Sequence, residues 1–142
     1  MKDNVYLTVV DAGTIGERTI IFDKYIEDSD KKYYFLAADA IILSYRKDFK
    51  GISGVLSDAA PFGLPVIAAD GGEIGELVRN NKIGLTFKVG NDRSLQQAIR
   101  HFFNMNDKEL LALKGNLARF AESRSWGVVA KQLITLYGGR VL

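Results

Sequence analysis

The stretch FKGISGVLSDAAPFGLPVIAADGGEIGE, residues 49–76, constrains the fold more than any other part of the chain. Within it Pro65–Ala69, PVIAA, is an apolar block with no polar alternation, the pattern of a strand buried on both faces. It stands between two segments of helical character, and glycines mark the corners. A second block of the same kind, Ala40–Leu43, lies one helix length upstream. Short buried strands alternating with helices indicate a parallel α/β sheet. In such sheets ligands bind outside the carboxyl ends of the strands, near the switch in strand order. The rule points to Ser44–Gly54 and Asp70–Gly75, the loops that follow the two blocks.

The rest of the chain is read around that centre. Val5–Val10 and Thr19–Phe22 have strand composition, and the loop Asp11–Glu17 between them is too short for a parallel crossover. The two strands therefore pair antiparallel, or run parallel without being neighbours. Ser29 and Asp30 are read as caps of a helix through Ala38. Ser53 is read as the cap of a helix over Val55–Phe62, with a short or kinked last turn at Pro61 and a left-handed Gly63. A short helix from Ile74 to Asn80 and a strand Gly84–Phe87 follow.

Beyond Asp92, read as a helix cap, the chain is helical. Leu95, Ala98, Ile99, Phe102 and Phe103 fall on one helix face, and Asn106 with Glu109 has capping-box spacing. Leu110, Leu113, Leu117, Phe120 and Ala121 continue the helical period. Ser125 caps a last helix whose Trp126, Val129, Ala130, Leu133 and Tyr137 share one side, with Trp126 read as core.

Composition removes several classes of function. A length of 142 residues fits one domain, residues 1–142. The net charge of +2 gives no electrostatic case for nucleic acid. With no cysteine and one histidine, thiolate metal sites, disulfides and a histidine-based triad are not expected, and neither a metal nor a cofactor is assigned. No apolar run has the length of a membrane span, and no signal peptide is evident, so a soluble protein of a reducing compartment is expected.

The chemistry sits at Gly51–Asp58. A helix N-terminus presents unpaired N–H groups and partial positive charge. Gly51 and Gly54 would let a ligand approach the backbone, and Ser53 adds a hydroxyl. This arrangement suits a phosphate or pyrophosphate. Asp58, one turn further along, has the carboxylate that a vicinal diol such as a ribose would use. Asp70-Gly71-Gly72, before another helix, is a second place for hydroxyls or an anion. Each feature has a plainer reading. The glycines also fit ordinary turns, Asp58 a solvated helix position, Lys47 and Lys50 a solvated rim, and His101 the surface.

The order of these pieces carries a resemblance. SGVLSDAAPFGLPVIAADGGEIGELV, NKIGLTF, NDRSLQQAI and SWGVVAKQLITLY, together with YYFLAADAIILSY upstream, resemble the C-terminal half of family 4 (group 1) glycosyltransferases. These are retaining sugar transferases of the GT-B type, and the likeness runs from about Ile20 to Tyr137. The resemblance implies a Rossmann-like, mostly parallel sheet flanked by helices, with a helical C-terminal tail. It implies a cytoplasmic domain that binds a nucleotide diphosphate sugar. The glycan or lipid acceptor would be held by an N-terminal domain outside this sequence, at the inner membrane surface in the full-length protein.

In that family a Glu-x7-Glu motif serves the donor. Its second acid, which holds the ribose, matches Asp58, and its first matches Lys50, a cation where a carboxylate is usual. The donor-phosphate loop matches Gly51, Ser53, Gly54 and the adjoining Val55, and the Gly-Gly turn matches Gly71 and Gly72, with Glu76 one residue late. The family's first strand-helix unit has no counterpart, and Asp11–Glu17 replaces a further helix. The chain is thus expected to be a fragment or a shortened relative. Because the missing strand is central, compensation is expected through Val5–Val10 or through self-association at an exposed strand edge. The alternative reading is a degenerate, non-catalytic interaction module on the same fold.

Overall fold

A computed structural model of the chain describes residues 7–10, 19–22, 25–51 and 53–138. The first two strands, β1 (Leu7–Val10) and β2 (Thr19–Phe22), pair antiparallel with Leu7 opposite Phe22 and Val10 opposite Thr19. This is the antiparallel option left open by the short connection. Val5, Tyr6 and the loop Asp11–Glu17 lie outside the described residues.

The main sheet has three parallel strands in the order β3 (Ile41–Leu43), β4 (Val66–Ala69), β5 (Gly84–Phe87). Side chains alternate across a strand with period two, and two apolar clusters follow that alternation. Ile41, Leu43, Val66 and Ala68 join one core with Leu56, Ile74, Val78, Ile83, Leu117 and Phe120. Ile67, Ala69 and Phe87 join the other with Ala98 and Phe102, against which Ile42 and Leu85 pack. All four residues of β4 are buried, as the unbroken apolar block requires. Residues 7–10 pair with β2 and not with β3, so among the described residues the outer edge of β3 carries no strand. At three residues that edge is short, which limits what another chain could pair with.

Helices connect the strands. The segment after β3 is α2 (Gly54–Ala59) followed by a 3-10 turn, Ala60–Phe62, that contains Pro61. Gly63 closes it in the left-handed region at φ 67°, so the shortened last turn and the stop occur as read. Helix α3 (Gly72–Asn81) joins β4 to β5 and starts two residues before the expected Ile74. Its C-terminus is closed by Lys82, a non-glycine residue at φ 52°.

Three expectations on helices are corrected. Helix α1 (Asp28–Ala37) begins before Ser29 and Asp30, and its N-cap Glu27 makes no side-chain capping bond. Ser29 and Asp30 are inside the first turn, where Asp30 and Asp28 favour the helix dipole instead. Helix α4 (Asp92–Phe103) is capped by Asn91, whose side chain accepts from Ser94 N at 2.9 Å, and Asp92 is its first residue. On α4, Ala98 and Phe102 are buried, while Phe103 is half exposed and meets Phe102 edge to face. Helix α5 (Asp107–Ser123) starts on the expected capping box, with Asn106 Oδ1 accepting from Glu109 N at 3.0 Å and Glu109 Oε2 from Asn106 N at 2.9 Å.

The third correction concerns α6 (Trp126–Gly138). Ser125 lies at its start, with Val128 N directed at Ser125 Oγ. No residue of α6 is buried, however, and Trp126 is 88% exposed. The apolar stripe is present, but no described element covers it. No helix among the described residues is long and apolar enough to cross a membrane.

Candidate functional site

The loops after β3 and β4 meet at the carboxyl edge of the sheet. Gly51 N–H donates to Glu73 Oε2, in the first turn of α3, at 3.1 Å. A methyl group placed on Gly71 would stand 3.1 Å from Lys47 Cα and 2.8 Å from Val89 Cγ2. One placed on Gly72, which sits at φ +61°, would stand 2.8 Å from the Phe49 carbonyl oxygen. The double glycine therefore lets residues 47–49 lie directly against the start of α3. Phe49 stacks on Tyr45, ring centroids 4.3 Å apart, and both rings pack on the core below.

Ser53 is where the sequence places it and is used internally. It is 1% exposed; its Oγ accepts from Leu56 N at 3.2 Å and bonds the Tyr45 hydroxyl at 2.9 Å. This is a helix cap held from below by a tyrosine, and it fixes the geometry of the corner. Val55 is half buried against the core. Gly54 is exposed, and beside both Gly51 and Gly54 a Cβ would meet nothing within 4 Å. The chain's own packing thus leaves those two positions open, while it fills the space beside Gly71 and Gly72.

Lys50 is exposed and lines a hollow of about 480 Å³ with Ser44, Tyr45, Arg46, Asp48 and Phe49. This is a shallow, open depression rather than an enclosed cavity. The hollow lies on the loop after β3, next to the Gly51–Asp58 corner rather than on it. Its rim pairs Arg46 Nε with Asp48 Oδ1 at 3.2 Å.

Asp58 lies near one turn into α2 and is half exposed. Its Oδ2 accepts from Lys31 Nζ of α1 at 3.2 Å. The same ammonium is 2.7 Å from Asp28 Oδ1. The hydrogen bond to Asp28, then the one to Asp58, hold the Lys31 pKa above its ordinary 10.5. After β4, Asp70 forms an ion pair with Arg79 of α3, so that carboxylate is engaged with its own helix. His101 is exposed, as read.

Three residues of this region are not singled out by sequence reading. Glu73 carried a signal, since an acid follows the double glycine in the first turn of a helix. Tyr45 and Lys31 carried none, because the contacts that give them meaning span 8 and 27 residues.

The arrangement combines exposed backbone at Gly54, a carboxylate one turn on and a cationic, aromatic-floored hollow, all at the carboxyl edge of a parallel sheet. No curated protein matches the chain at a significant level. A family model described as glycosyl transferases group 1 matches residues 14–117, which takes in every strand of the parallel sheet and both loops at its carboxyl edge. The chain belongs to the group 1 glycosyl transferases.

Proposed function

We propose that this chain is the donor-binding domain of a family 4, GT-B-type glycosyltransferase, which moves a sugar from a nucleotide diphosphate sugar to a glycan or lipid acceptor. Residues 1–142 form that domain, and an N-terminal domain holds the acceptor. Gly54 and Val55 receive the diphosphate along their backbone, beside Gly51, whose own N–H is held by Glu73, with Ser53 fixing the turn from beneath. Asp58 accepts from the ribose hydroxyls. Lys50, on the rim of the hollow, faces the donor sugar, and Gly71 and Gly72 bring the second loop against the first.

One observation carries this reading. The loops that follow two successive parallel strands are joined through Gly51–Glu73 and through the close approach at Gly71 and Gly72, and beside that junction α2 starts with Gly54 exposed and the half-exposed Asp58 one turn on. In the mechanism this supports, the protein contributes positioning and stabilisation of the departing diphosphate. Lys50 has a charge complementary to a phosphate but has no acceptor oxygen for sugar hydroxyls, so turnover by this domain alone is not expected.

The test is a titration of the protein with UDP, GDP and ADP followed by amide chemical shifts. Shifts centred on Ser53, Gly54 and Asp58 with one of them are expected. If those amides stay silent with all three, the proposal fails and the non-catalytic interaction module takes its place, with self-association at the β3 edge then to be sought by sedimentation.

A further inference from the structure

We propose that Lys31 is a positioning residue for the donor ribose: held by Asp28, it fixes one oxygen of Asp58 and leaves the other to the ribose hydroxyls. This rests on the role given to Asp58 above.

The geometry begins with two helices that flank β3. Three residues separate the end of α1 from Ile41, so the C-terminus of α1 lies near the amino end of β3. Ten residues at about 1.5 Å each carry its N-terminus roughly 15 Å back, to the carboxyl side. Helix α2 starts on that same side. Helix α1 meets the segment after β3 chiefly at its 3-10 turn. Lys31 pairs with Asp58, and four residues on, Phe35 meets Phe62 with ring centroids 5.5 Å apart. A spacing of four on a helix keeps side chains on one face, so the buried Phe35 contact holds α1 in register while Lys31 meets Asp58 at the rim.

The local chemistry favours positioning over a casual surface pair. The Lys31 side chain is 28% exposed, against 48% for Asp58 and 82% for Asp28. Its Nζ is closer to Asp28 Oδ1, at 2.7 Å, than to Asp58 Oδ2, at 3.2 Å. Lys31 thus bridges the two carboxylates, bonded to Asp28 as well as to Asp58 Oδ2. Among the described residues no hydrogen bond reaches Asp58 Oδ1. An aspartate is short and would otherwise sample several rotamers. Tying Oδ2 presents Oδ1 in a single direction, and a ligand then loses less free energy in ordering it.

The experiment compares UDP, GDP and ADP with their 2′,3′-dideoxy counterparts, measured by titration calorimetry on the whole chain. The readout is the ratio of affinities, ribose over dideoxy, because loss of general structure weakens both members of a pair alike. In Lys31→Met the ratio should fall about two- to fivefold, the range of an exposed ion pair, with dideoxy binding unchanged. Lys31→Arg keeps the charge and should restore most of the ratio. Asp28→Asn, at an exposed position that should not disturb folding, should lower the ratio by a smaller factor, and it stands as the test if the methionine variant does not fold. An unchanged ratio in both variants overturns the inference while leaving the proposed function standing. So does a tighter ribose complex in Lys31→Met, which would make Lys31 a competitor for Asp58. Absence of binding by the unmodified chain overturns both.

Discussion

Substituting Gly72 by alanine tests how the two loops are joined. Gly72 stands at φ +61°, where an alanine costs about 1–2 kcal/mol relative to the right-handed region. Its Cβ would also sit 2.8 Å from the Phe49 carbonyl oxygen. That oxygen cannot retreat easily. Phe49 N donates to Arg46 O at 3.0 Å, and the Phe49 ring is stacked on Tyr45 and packed on the core. Overpacking of this kind adds about 1–3 kcal/mol. Gly90 supplies the control, since it has nearly the same conformation, φ +68°, with nothing within 4 Å of its Cβ. Gly90→Ala should therefore lose only the conformational part, about 1–2 kcal/mol. For a chain of 142 residues, between the smaller and the larger domains, a loss of 1 kcal/mol lowers Tm by about 4 °C. Thermal unfolding followed by circular dichroism should place Gly72→Ala below Gly90→Ala by roughly 4–12 °C. Equal Tm losses in the two variants would refute the reasoning, because they would mean that residues 47–49 yield at no cost and that the double glycine does not lock the loops together.

Two further substitutions probe the fold and the rim. Gly115 lies inside α5 with nothing within 4 Å of its Cβ, so Gly115→Ala should raise stability by about 0.5–1 kcal/mol in urea denaturation, and a loss would show an unrecognised neighbour. Lys31 has a folded-state pKa raised above 10.5, first by Asp28 and then by Asp58. Its contribution is fully present below pH 10.5 and is lost as pH rises through the raised value. The stability difference between the unmodified chain and Lys31→Met should then be constant from about pH 7 to 9 and shrink above about 10.5; a difference that shrinks already below pH 9 would show that the ion pair is not its source.

The α/β alternation could be read from sequence because period decides it. Pro65–Ala69 has no polar face to give to water, so it must lie between two layers, and each of those layers has its own cluster in the structure. Ser53, Gly63 and Asn106 were equally legible, because each acts on neighbours three or four residues away. What failed shares a physical cause. A stripe at helical spacing shows which side of α6 is apolar, but not whether another element lies on it, and Trp126 is exposed for that reason. The start of α1 is not marked in the sequence, because its N-cap Glu27 makes no side-chain capping bond. Asp58 is bound to a cation 27 residues distant, a contact no local pattern encodes.

The same distinction separates the glycines, which look alike in sequence. Gly71 and Gly72 are required by the chain itself, since Lys47 and Phe49 occupy the space beside them. Gly54 has helical backbone and open space, so neither conformation nor internal packing demands glycine there. Alanine is better than glycine by up to about 1 kcal/mol in a helix interior and by less at a first position, so glycine at 54 brings the helix no stability of its own. Close approach of another molecule to the backbone is a reason for glycine there, and Gly54 adjoins the exposed loop that carries Lys50 and precedes Asp58 by four residues. Donor binding at this corner therefore predicts an asymmetry: Gly54→Ala should leave Tm unchanged or raise it while weakening nucleotide binding, whereas Gly72→Ala should lower Tm. An alanine at position 54 that leaves nucleotide affinity intact would remove the backbone of Gly54 from the site, and the diphosphate would then have to be sought over the hollow between Ser44 and Lys50.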